Sequence, residues 1–187
     1  MGNNTRQENI EKLAKYVAVI HSQSINQSHL KKYNAEWVAE QVEKIKDVQF
    51  KNDIILAIKT MSQIESHNAS PKEAKFLAWD ISRLDWQQEY KSGRAGSYAW
   101  DIACIINRAN DVKFSDIFLK SYLRHGGQKI TLAALYANLY YVRVFEAIKS
   151  GIFENIIEDT RKIIDESMFK SDVISYETLV ALGVTGY

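Results

Sequence analysis

Two aspartates stand among apolar and aromatic neighbours, where a carboxylate could hold a cation, take up a proton or anchor a helix. Asp85 lies in Leu84-Asp85-Trp86, and Asp101 in Tyr98-Ala99-Trp100-Asp101-Ile102-Ala103. Asp101 follows Gly96-Ser97, a small flexible turn running straight into an apolar helix that carries Trp100, Ala103, Cys104 and Ile106 on one face. In a first turn its charge meets the positive end of the macrodipole and the free backbone N–H groups. One reading is therefore an acid that stabilises its own helix; the other is a site shared with the upstream Asp85. Asp80 and Asp85 are five residues apart, a poor fit to one helical face, and read either as two exposed acids or as a metal pair. Arg83 can pair with either on a helix surface. His21 and His29 are isolated from Cys, Asp and other His, so they read as surface or loop residues rather than zinc ligands. Trp86, Tyr136 and Tyr140, with Tyr141, are candidates to line a ligand pocket, although tyrosines at helical spacing are commonly core.

Helices must position these residues. Thr5 and Glu8 form a capping box ahead of Ile10, Leu13, Ala14, Val17 and Ile20, which predicts a helix of about 15 residues ending near His21. Asn34 caps a second, with Trp37, Val38, Val42 and Ile45 on one face. Asp53 is placed to cap a third containing Ile54, Ile55, Ile58, Met61 and Ile64. Ser70-Pro71-Lys72-Glu73 is a helix start, continued by Leu77, Ile81 and Leu84, which predicts helix over at least part of residues 70–88. Residues 107–113 read as a polar loop. Phe114, Ile117, Phe118, Tyr122 and Leu123 then form an amphipathic helix halted by His125-Gly126-Gly127. Thr131 opens a helix that is apolar almost all round and should be the most buried, ending at Gly151. Residues 152–168 supply a last helix, and the tail at 171–187 has no clear period.

The whole chain favours one mostly helical domain spanning residues 1–187. A single proline and eight glycines argue against a β-sandwich or barrel with many tight turns. Hydrophobic residues make up 46%, and 24 Lys+Arg balance 23 Asp+Glu; the net charge of +1 leaves no footprint for nucleic acid or an anionic membrane. The single cysteine, Cys104, cannot form an internal disulfide, which points to a reducing compartment and a cytoplasmic location. No apolar stretch approaches the roughly 20 residues that span a bilayer, and the polar start is unlike a signal peptide.

In order and spacing, Leu84-Asp85-Trp86, a short Gly-containing loop and Tyr98-Ala99-Trp100-Asp101-Ile102-Ala103 resemble the C-terminal lobe of the aminoglycoside and choline-type small-molecule phosphotransferases, a kinase-like family. Leu13-Ala14 through His21-Ser22 resembles the helix that opens that lobe, and the likeness covers residues 8–165. It implies that Asp85 is a metal ligand and that Asp101, beside Trp100, is a structural brace under the catalytic loop. It also implies a catalytic loop at His67 and a small β-hairpin near 74–86 where local chemistry favours helix. The family reads His-Gly-Asp and then Asn five residues after that Asp, to take the substrate hydroxyl's proton and to hold the metal. Here those positions read His67-Asn68-Ala69 and Ala74, and a methyl can do neither. No glycine-rich phosphate loop or lysine-bearing strand pattern precedes residue 66.

The resemblance thus implies a non-catalytic, degenerate phosphotransferase-like domain with no cofactor, binding a protein partner, a second copy of itself or a small ligand. One alternative is the C-terminal half of a small-molecule kinase whose nucleotide lobe comes from another chain, with Mg and ATP or GTP held at Asp85. Another is a helical interaction domain of unrelated ancestry.

Overall fold

The repeated caps and apolar spacings of about 3.6 residues produce a mostly helical chain. The computed structural model describes residues 2–22, 31–46, 48–67, 73–74 and 94–165. In order these form α1 (Gly2–Ser22), β1 (Lys31–Tyr33), α2 (Ala35–Val42), α3 (Val48–His67), β2 (Glu73–Ala74), β3 (Arg94–Ser97), α4 (Tyr98–Ala109), α5 (Val112–Arg124), α6 (Leu132–Ser150) and α7 (Glu154–Asp165). No helix among the described residues is long and apolar enough to cross a membrane.

Side-chain caps set several of these starts. Asn34 accepts from Trp37 N at α2, Ser97 from Ala99 N at α4, Asp111 from Phe114 N at α5 and Thr131 from Ala134 N at α6. Asn110 and Gly151 end α4 and α6 in the left-handed conformation, which turns their backbone N–H groups onto the carbonyls of Ile106 and Ala147.

Several boundaries differ from the expectation. Helix α1 begins at Gly2, so Thr5 is interior and not a cap, and α3 begins at Val48, which makes Asp53 interior too. In both, the apolar stripe downstream nucleates the helix, and each added turn upstream then costs little. Helix α4 runs through Asn107 and Arg108 to Ala109, leaving only Asn110 and Asp111 between it and α5, where a longer loop was expected. Glu73 and Ala74 are extended and not helical: they pair antiparallel with Ser97 and Gly96. Of the expected hairpin near 74–86 only Ala74 is described, and it pairs with β3; residues 75–93 lie outside the described residues. β3 also pairs parallel with β1, giving the order β1-β3-β2. This small sheet leads directly into α4 and fixes where that helix starts.

Helix α6 is the hub. It packs against α2, α3, α4 and α7, while α1 lies along α5. Twelve of its 19 residues are buried, as expected for a helix apolar on most sides; α4, with nine of 12, is buried over a larger share of its length. The rings of Tyr33, Trp37, Trp100 and Phe145 tie β1 and α2 to α4 and α6. Tyr33 stacks on Trp100 with ring centroids 5.2 Å apart, and Trp37 contacts both Trp100 and Phe145. Trp100 is therefore a core aromatic whose ring joins the sheet to the helical layer.

Candidate functional site

Asp101, in the first turn of α4, is 0% exposed. A carboxylate removed from water in this way needs hydrogen-bond donors, because desolvation otherwise costs several kcal/mol. His21, at the end of α1, supplies one: its Nε2 lies 3.0 Å from Asp101 Oδ2. The other ring nitrogen, Nδ1, lies 2.7 Å from the hydroxyl of Tyr122 on α5. That hydroxyl accepts in turn from the backbone N–H of Gln128 at 3.0 Å.

The chemistry of the partners orients the protons along this chain. An ionised carboxylate only accepts, so Nε2 carries a hydrogen and donates it to Asp101. Nδ1 and the Tyr122 hydroxyl share the second hydrogen bond, and the rings of Tyr98 and Tyr122 stand edge-on to the imidazole at centroid distances of 4.8 and 5.6 Å. Gly127 packs against the Tyr122 ring so closely that a Cβ there would collide with its Cε1. The Gly126-Gly127 turn therefore covers one end of the chain.

His21 is 3% exposed, which overturns its reading as a surface or loop residue. The signal was present: His21 stands four residues after Val17 and seven after Ala14, on the stripe that faces the core. Tyr122 likewise stands four residues after Phe118. The Asp101–His21–Tyr122 chain aligns donors and acceptors as an acid–base relay does, yet His21 and Asp101 have 0% side-chain exposure. With no surface open to a dissolved substrate, it can hold three helices in register but cannot trade protons with a ligand. Cys104, three residues past Asp101 on α4, is similarly inert. Burial pushes its thiol well above the ordinary range, and the charges of Asp101 and Glu146 add to the shift.

A second buried polar cluster joins α3 to α6. Asn138 donates to Glu65 Oε1 at 2.9 Å, and the Tyr141 hydroxyl donates to Oε2 at 3.4 Å. Burial holds the Glu65 carboxyl above its ordinary range, although those two hydrogen bonds pull it back. This cluster had no sequence signal beyond two polar residues in apolar runs.

Of the other candidates, His67 is the last residue of α3, and Ala74 lies in β2 opposite Gly96. Ala69, Asp80, Arg83, Asp85 and Trp86 lie outside the described residues. Tyr136 and Tyr140 are both buried; Tyr140 shares a hydrogen bond with Thr160 at 2.9 Å. One space beside them, of about 10 Å³, has room for a single water. These tyrosines pack as core.

Comparison with known protein families, with curated proteins and with solved structures yields no match to this chain. Ala74, at the position where the resemblance implies a metal-binding amide, carries a methyl; among the described residues no group of three or more His, Cys, Asp or Glu is placed to hold a metal ion, and Asp85 lies outside them.

Proposed function

We propose that this chain is a non-catalytic helical domain, similar to the C-terminal lobe of small-molecule phosphotransferases, that binds a small ligand or a protein partner. The observation that supports the reading is the 3.0 Å contact of His21 with Asp101. It joins two stretches that carry the family likeness and lie far apart in sequence, Leu13-Ala14 to His21 on α1 and Trp100-Asp101-Ile102-Ala103 on α4. A buried, hydrogen-bonded aspartate is what a brace requires. The brace is kept while the positions matching the proton acceptor and the metal amide, Ala69 and Ala74, are methyls. A scaffold retained without its reactive groups serves binding. The single buried Cys104 suits a reducing compartment such as the cytoplasm.

A turnover assay with magnesium–ATP and magnesium–GTP against small hydroxyl compounds tests this reading. No phosphorylated product is expected, because phosphoryl transfer depends on placed charges and a placed acceptor. Turnover abolished by Asp85→Asn would overturn the proposal and show that the chain transfers phosphate through a metal held at Asp85.

A further inference from the structure

We draw no further inference here: the strongest candidate, the open polar groove that α6 and α7 form at the C-terminal end of α4, is a cluster of the carboxylates of Glu146, Glu158 and Asp159 with no second observation that points to a ligand, since the Glu146 side chain is 40% exposed.

Discussion

Asp101 and His21 are both withdrawn from water and each gives the other a hydrogen-bond partner, so removing either costs the other one of its hydrogen bonds. Truncation of Asp101 to alanine leaves the Nε2–H of His21 buried without its acceptor, and is expected to cost about 3 kcal/mol in urea denaturation. Asp101→Asn keeps an acceptor and should cost less than the alanine. Tyr122→Phe removes one hydroxyl yet strands both Nδ1 and the Gln128 N–H, for a loss of about 1–2 kcal/mol. A loss below about 0.5 kcal/mol for Asp101→Ala would reduce this residue to an ordinary first-turn acid. Glu65 gives a pH signature of the opposite kind. Its carboxyl is raised in the folded chain, which therefore holds that proton more tightly than the unfolded chain does. Stability should fall as pH rises through the window above the ordinary carboxylate value, and Glu65→Gln should flatten that fall while still offering Asn138 an acceptor. Denaturation midpoints followed upward in pH from the ordinary carboxylate value measure the difference.

At the scale of elements, caps and turns decide where helices stop, and two substitutions isolate them. Gly127→Ala drives a methyl into the buried Tyr122 ring and should cost about 1–3 kcal/mol, with the loss of the Gln128 contact visible in amide hydrogen exchange. Thr131→Ala removes the side-chain acceptor for Ala134 N and should cost about 1 kcal/mol. Features of this kind were legible in the sequence because they are local: Asn34, Thr131 and Gly151 each announce a boundary within three or four residues. The starts of α1 and α3 were not legible, since a stripe that nucleates a helix can carry it upstream past a good capping residue such as Thr5 or Asp53. The three strands were illegible for another reason. β1 and β2 are too short to show alternation, and β3 exists because chain segments distant in sequence lie on both sides of Gly96. The brace falls between these cases. The helical period placed His21 and Tyr122 on core faces, while the contact of α1, α4 and α5 that joins them to Asp101 depends on the assembled fold.

At the scale of the molecule, α6 holds the helices together, the aromatic cluster around Trp100 joins the sheet to them, and the buried brace pins α1 and α5 to the start of α4. The central claim is that this shape is kept without phosphoryl chemistry. Isothermal titration of magnesium–ATP into the purified chain tests it most directly. The account predicts heats indistinguishable from dilution, unchanged by Asp85→Asn. Saturable binding that Asp85→Asn abolishes would contradict it.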